Sequence, residues 1–353
     1  MTEAPLFSIL VPCCDVAPYV GECVASLKGQ DVPFEAICVV EESRDDTENV
    51  LRAAVAGDAR FTVVTEPRSG SPSTPRNTGL ARAKGEYVIL LDGDDTLAPA
   101  ALADLADWIA RYPGTDLFPC AARDGGNVRD NYPADLPPLP LTGAAATRLV
   151  SAGSDEPLAM ATITVYRRAF LDAHALRFVD GLRHEDEEFT PRALYLAETV
   201  VPTHLPFYLY RRRADSIMTA IRERNLDDLA TVYGNLLRFH AERHPSADVS
   251  RAWARNWFNT LFSAFFFTGG NTTVTPAHRK GALKRLFANG FGDFDALVRF
   301  ATRPKRLAAS FIRFAVRTGW YTPATVFFRR LYYPLAMRRV IAGRKANTGI
   351  GKT

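Results

Sequence analysis

Three carboxylates fall within four residues, at Asp92, Asp94 and Asp95, directly after the apolar run 87–91 (YVILL). Like charges this close oppose one another's ionisation, and a hard divalent cation relieves the repulsion. Mg²⁺ or Mn²⁺ held by one or two carboxylates completes its shell with water and phosphate oxygens, so a nucleoside diphosphate suits the pattern. The plainer alternative is a solvated Asp-Gly turn with a helix cap. A second acidic cluster, HEDEEF at 184–189, sets Asp186 between Glu185 and Glu187, with Glu188 beyond. Those neighbours raise the proton affinity of Asp186, which suits a general base, whereas an acidic first helical turn favoured by the helix dipole is the simpler account. His184 is placed to orient such a base, or to be an ordinary polar neighbour. Arg211, Arg212 and Arg213 follow an apolar segment and suit either a diphosphate or open solvent.

These residues need elements to hold them. Short apolar runs at 7–11 (FSILV), 36–40 (AICVV), 61–65 (FTVVT) and 87–91 alternate with helix-like stretches at 20–28, 47–56, 77–83 and 99–112. That alternation predicts a parallel sheet flanked by helices. Leu102, Leu105, Trp108 and Ile109 fall on one face of the last helix, with Pro99 near its first turn. Cys13, Cys14 and Asp15 follow the first strand, Glu41 and Glu42 the second, and the aspartates the fourth. All three stretches thus lie at carboxyl ends of parallel strands, where open α/β sheets bind ligands. The Gly-, Pro- and Ala-rich stretch 123–157 reads as irregular connection, 160–166 as a strand, 184–196 as a helix and 206–210 as a last strand. Beyond about residue 225 the pattern is helical, and Trp253, Trp257, Leu261 and Phe265 share one face, most simply as core.

A chain of 353 residues with 47% hydrophobic and 23% charged residues is long enough for two domains and is neither disordered nor fibrous. No apolar run reaches the roughly 18 residues needed to span a bilayer, and no signal peptide is visible, which points to the cytosol. The five cysteines form no CxxC pair, against a zinc site or a disulfide framework. The net charge of +4 conceals an asymmetry. Residues 1–200 carry 17 Lys+Arg against 31 Asp+Glu, and residues 201–353 carry 26 against 8. After Asp295 there is no acid, while residues 299–353 hold 13 Lys+Arg among aromatics such as Phe311, Phe314, Trp320 and Tyr332. Helices expected near 305–317 and 323–339 have the composition of a segment lying on an anionic membrane. Packing on the rest of the chain is the alternative, and no nucleic-acid module is recognisable.

The runs SILVPCCD (8–15), VVEESRDDT (39–47), SPSTPRNTGLARAKGEYVILLDGDD (71–95), HEDEEF (184–189) and YRRRADSI (210–217) resemble, in order and rough spacing, the family 2 glycosyltransferases over about residues 6–217. The resemblance implies a GT-A fold: a Rossmann-like, mainly parallel α/β sheet flanked by helices, followed here by a mainly α-helical region. The glycosyltransferase domain is expected over 1–220, its nucleotide-binding half over about 1–120 and its acceptor half over about 121–220, with a helical, basic region over 221–353. By the same resemblance Pro12, Cys13, Asp15 and Glu41 line the nucleotide, Arg76 lies near it, and Asp92, Asp94 and Asp95 meet ribose and the Mn²⁺ or Mg²⁺ ion. Asp94 is the first choice as metal ligand. Asp186 is implied as the catalytic base, with His184 and Glu185 beside it, and Arg211 and Arg213 reach the diphosphate. The chain departs from the family pattern at Cys14-Asp15 and at Glu41-Glu42-Ser43, where a longer carboxylate would shift the base or change its identity.

The expectation is therefore an inverting, metal-dependent glycosyltransferase. Its donor is a nucleotide sugar, UDP-linked by preference, and its acceptor a hydroxyl of a cell-surface polysaccharide, a teichoic-acid-like polymer or a lipid-linked glycan, met at the inner membrane face. A catalytically degenerate member that binds a membrane or partner is the alternative. A dinucleotide oxidoreductase is disfavoured because no GxGxxG follows the first strand.

Overall fold

The computed structural model describes residues 5–153, 160–212, 223–262, 275–288 and 290–319. The chain forms two compact units, Met1–Gly153 with Leu158–Ser216, and Ser154–Pro157 with Ile217–Thr353.

The first unit opens with β1 (Phe7–Cys13), α1 (Val20–Lys28), β2 (Phe34–Glu41), α2 (Thr47–Val55), β3 (Phe61–Glu66), α3 (Ser73–Leu80) and β4 (Tyr87–Leu90). Short strands β5 (Thr96–Leu97), β6 (Leu117–Pro119), β7 (Ala121–Asp124) and β8 (Asn127–Arg129) follow, with α4 (Ala101–Arg111) after β5. The unit closes with α5 (Gly143–Gly153), a 3₁₀ turn at Ala161–Ile163, β9 (Thr164–Arg167), α6 (Arg168–Ala173), α7 (Glu185–Leu196) and β10 (Pro206–Tyr210).

The main sheet runs β3-β2-β1-β4-β9-β6. Its first four strands are parallel, and β9 is antiparallel to both β4 and β6. The chain steps outward from β1 to β3, then returns to place β4 on the other side of β1. This reversal opens a crevice at the carboxyl ends of β1 and β4. Strand side chains alternate between faces. Ile9 and Val11 pack with Val20, Val24, Leu102 and Leu105 on one side, and Leu10, Val39 and Leu90 with Leu80, Phe189 and Ala193 on the other. Within α1 the buried residues Val20, Cys23, Val24 and Leu27 recur at helical spacing. A second sheet, β5-β10-β7-β8, pairs β5 antiparallel to β10, and so brings the end of β10 back to the loop that follows β4.

Three local expectations are corrected. The stretch 123–157 is not wholly irregular: it completes β7, forms β8 and contains α5, whose Ala-rich run packs against α7. Helix α3 begins at Ser73 rather than 77, because Pro75 sits in the first turn, where no backbone N–H is needed. Pro99 lies outside α4, separated from it by Ala100 with φ +58°. Trp108 is only partly buried and stacks on Tyr112.

The second unit is helical in its described residues: α8 (Glu223–Arg243), α9 (Ala247–Phe262), α10 (Pro276–Leu286), α11 (Gly292–Val298) and α12 (Arg303–Thr318). Trp253 and Trp257 are buried and stacked, with ring centroids 4.7 Å apart, as core residues are. Phe265 of the same stripe, Arg213 and the helix expected near 323–339 lie outside the described residues. Among the described residues no helix is long and apolar enough to cross a membrane.

Candidate active site

The loop after β4 is shaped by its own backbone. Asp95 N–H donates to the Asp92 carbonyl at 2.9 Å, closing a tight turn with Gly93 and Asp94 at its corners. Gly93 N–H donates to the carbonyl of Pro12 at the end of β1, at 3.2 Å. A Cβ on Gly93 would lie 3.0 Å from both the Pro12 oxygen and the Cys13 sulfur, so any side chain there crowds the turn against β1 and pushes it away by a few tenths of an ångström. Gly93→Ala is expected to cost about 1–3 kcal/mol through overpacking and to lift the aspartates off the strand end. Chemical denaturation measures the first effect, nucleotide titration the second.

The turn leaves Asp92 and Asp94 half-buried and Asp95 buried. Arg76 joins this loop to the second acidic cluster. Its side chain is 2% exposed; Nη2 donates to Asp92 Oδ1 at 2.8 Å, and Nη1 to Glu185 Oε1 at 2.6 Å and Asp186 Oδ1 at 3.1 Å. Burial works against its charge, but Asp92, Asp186 and Glu185 together raise its pKa well above the ordinary arginine value. Burial raises the pKa of Glu185 despite the Arg76 charge that opposes it. Asp186 is pushed up to about 8 by burial and by the Glu185 charge. A group titrating there takes up a proton near neutral pH. His184, in the left-handed region at φ +56°, precedes the first residue of α7, with Nδ1 3.7 Å from Glu187 Oε1. Burial and Arg183 lower its pKa.

What holds α7 in place is the start of α3 and the loop before it. Ser71 and Ser73 hydroxyls donate to the Leu182 carbonyl, Ser73 at 2.7 Å. Thr74 Oγ1 accepts from Gly181 N–H at 3.2 Å. The Asn77 amide donates to the Phe178 carbonyl at 2.8 Å and accepts from Phe178 N–H at 3.0 Å. The 71–77 block thus grips residues 178–182 while Arg76 reaches through to the acids.

Other expected site residues divide into two groups. Arg211 arrives from β10: its backbone N–H donates to Asp95 Oδ1 at 2.7 Å, Nε donates to the Asp94 carbonyl at 3.1 Å, and its guanidinium pairs with Glu22 and lies over Tyr19. Pro12 is half-buried beside the turn. The remaining three are engaged elsewhere. Cys13 has its side chain in the core beneath the turn, 1% exposed. Asp15 is clamped by Arg44 and Arg68, both at 2.6 Å, which hold its carboxyl well below the usual range. Glu41 is buried and accepts from Ser69 N–H at 2.7 Å. Sequence reasoning did not single out Tyr208, Asn77, Ser71 or Ser73. Tyr208 stands in an apolar strand run, Ser71 in a polar loop and Ser73 and Asn77 in the short polar helix α3, and their partners lie about a hundred residues away.

Among the described residues no three His, Cys, Asp or Glu side chains form a metal cage. Asp92, with one oxygen on Arg76, and the half-buried Asp94 still fit a cation that takes one or two protein carboxylates and completes its shell from phosphate and water.

Residues 8–174 match the family model described as Glycosyl transferase family 2. Bacillus subtilis EpsH is 29% identical over 256 residues, covering 69% of this chain and 71% of that protein. The succinoglycan biosynthesis protein ExoO of Rhizobium meliloti is 25% identical over 315 residues, covering 88% of this chain and 89% of that protein. The poly(ribitol-phosphate) beta-N-acetylglucosaminyltransferase TarS of Staphylococcus aureus is 27% identical over 220 residues; these span 61% of this chain and 37% of TarS. The crystal structure of S. aureus TarS 1–349 in complex with UDP-GlcNAc superposes with a TM-score of 0.71 at 21% identity, covering 92% of this chain and 91% of that one. The sheet order, the acidic turn at its crevice and these likenesses lead to one assignment: residues 8–174 form a family 2 glycosyltransferase domain, within a GT-A fold that is followed by a helical C-terminal region.

Proposed function

We propose that the protein is an inverting, metal-dependent transferase. It moves a sugar from a UDP-sugar to a hydroxyl of a cell-surface polysaccharide, a teichoic-acid-like polymer or a lipid-linked glycan. The observation that carries the reading is Arg76, which touches Asp92 of the acidic turn and Asp186 of α7 at once and so sets a donor-side and an acceptor-side carboxylate on one buried cation. The TarS complex with UDP-GlcNAc supports a UDP-sugar donor, and TarS and ExoO support a polymeric acceptor. In this reading residues 1–120 hold the nucleotide, 121–220 the acceptor, and 221–353 form a separate helical region.

The acidic turn would hold Mn²⁺ or Mg²⁺ through Asp94 and Asp92. When bound, the ion supplies positive charge to the diphosphate. Arg211, fixed against the carbonyl of Asp94, adds a cationic group on the same side. Asp186 accepts the proton of the attacking hydroxyl as the new glycosidic C–O bond forms and the bond from the anomeric carbon to the phosphate oxygen breaks. Attack opposite the leaving group inverts the anomeric centre. We further propose that the protein works at the inner membrane face. The acid-free, basic and aromatic composition of residues 299–353 supports this.

The test is transfer by the purified chain from a panel of nucleotide sugars, with Mn²⁺ and with chelator. Wild-type turnover that needs the metal, and a fall of about 100-fold or more in kcat/KM for Asp94→Ala, is the expected result. Full turnover by that variant overturns the assignment.

A further inference from the structure

The acidic turn rests on a buried network that the transfer chemistry does not itself explain. Asp95, the third carboxylate, faces inward and is 2% exposed. Its Oδ2 accepts from the Tyr208 hydroxyl at 2.5 Å and its Oδ1 from the Arg211 N–H at 2.7 Å. Tyr208 is wholly buried, and its oxygen also accepts from the Asp92 N–H at 3.3 Å. One hydroxyl therefore holds both ends of the turn, at residues 92 and 95. Tyr208 lies in β10 opposite Leu97 of β5, so the strand pairing fixes its height against the turn. Three residues further along the same strand end, Arg211 is bound through its backbone to Asp95 and through Nε to the Asp94 carbonyl. The pair thus fastens the turn that carries Asp92 and Asp94, and the backbone of Arg211, from beneath.

We propose that Tyr208 and Asp95 form a positioning pair for donor binding, in which Asp95 is an internal strut and not a metal ligand. This rests on the function proposed above and narrows the cation's protein ligands to Asp92 and Asp94. The geometry gives the reason. To reach a cation in the crevice, Asp95 would have to abandon a hydrogen bond in a closed site, leaving the Tyr208 hydroxyl or the Arg211 N–H without a partner, a costly exchange. Asp92 and Asp94, by contrast, keep partly exposed side chains at the mouth of the crevice. The strut lowers the cost of binding by holding the turn and the arginine in one arrangement before the nucleotide arrives.

The test uses the full chain, calorimetry with UDP and Mn²⁺, and steady-state kinetics with the nucleotide sugar that wild type turns over. Tyr208→Phe keeps the ring and removes the hydroxyl. It is expected to weaken UDP–Mn²⁺ binding and raise the donor KM by about tenfold, with the acceptor KM unchanged. Asp95→Ala loses at least as much. Asp95→Asn recovers only part of the binding lost in Asp95→Ala, because the amide oxygen still accepts from Arg211 N–H and the NH₂ can donate to the Tyr208 oxygen, while the Tyr208 proton loses its acceptor. Thr203→Val, which removes a buried hydroxyl bonded to the Pro119 carbonyl, lowers the melting temperature without moving donor affinity and so separates positioning from general destabilisation. Wild-type affinity in Tyr208→Phe overturns the proposal, as does an Asp95→Asn variant as poor as Asp95→Ala, the result a metal ligand would give. A wild-type chain that binds no UDP overturns the underlying function itself, a distinguishable failure.

Discussion

Replacing Arg76 with leucine is expected to destabilise the first unit by about 3–5 kcal/mol, the usual cost of leaving a buried charge without its partner. Most of the penalty falls on Glu185, whose side chain is 8% exposed and whose named cationic partner is Arg76; Asp92 and Asp186, at 35% and 25%, regain some water. Arg76→Lys should recover only part of the loss. A single ammonium cannot present two Nη groups to three carboxylates in a plane, as the guanidinium does. Urea unfolding at pH 7.5 measures both. The loss in Arg76→Leu shrinks at lower pH, where protonation neutralises the orphaned carboxyls. A cost under about 1 kcal/mol would show that the cluster is solvated and that Arg76 does not organise the site.

The second large effect is on rate. Asp186→Asn preserves the shape of the side chain and removes its basicity, and kcat is expected to fall by about 10²–10⁴, the range for a lost general base, while UDP affinity stays within about threefold. Because Asp186 is raised to about 8, wild-type kcat/KM should climb with pH to about 8 and then level off, and the residual activity of Asp186→Asn should lack that limb. The same shift has a sign for stability. The folded state keeps a proton that the unfolded chain releases near pH 4, so this group makes folding less favourable as pH rises from about 4 to about 8. An unchanged pH profile in the variant would assign the base to another residue.

Much of the frame is readable from the residues because it depends on local signals. β1, β2, β3 and β4 are apolar runs bounded by turn formers, and their parallel pairing follows from the helices between them. The acidic turn is equally plain, since no core accepts three carboxylates in four residues without a reason. What escaped is non-local. Tyr208 reads as one aromatic among five strand residues, and only the pairing of β10 with β5 brings its hydroxyl to Asp95. Arg76 is visible as a charge, but not as a buried one, because the acids that justify its burial come 16, 109 and 110 residues later. Helix α5 was hidden by the glycines and prolines around it, although its Ala-rich run finds a partner in α7. Asp15 and Glu41 have the right residue types at the right strand ends, yet Arg44, Arg68 and the Ser69 N–H engage them.

The grip of residues 71–77 on 178–182 bears on how such enzymes can be recombined. Ser73, Thr74 and Asn77 take their partners from a loop more than a hundred positions away, so the two segments form one unit of inheritance even though a whole sheet's worth of chain separates them. A chimera that grafts a new acceptor-recognition half from a relative at a junction near residue 120 would cut between a hand and what it holds. A graft that carries both stretches from the same parent keeps Asp186 against Arg76.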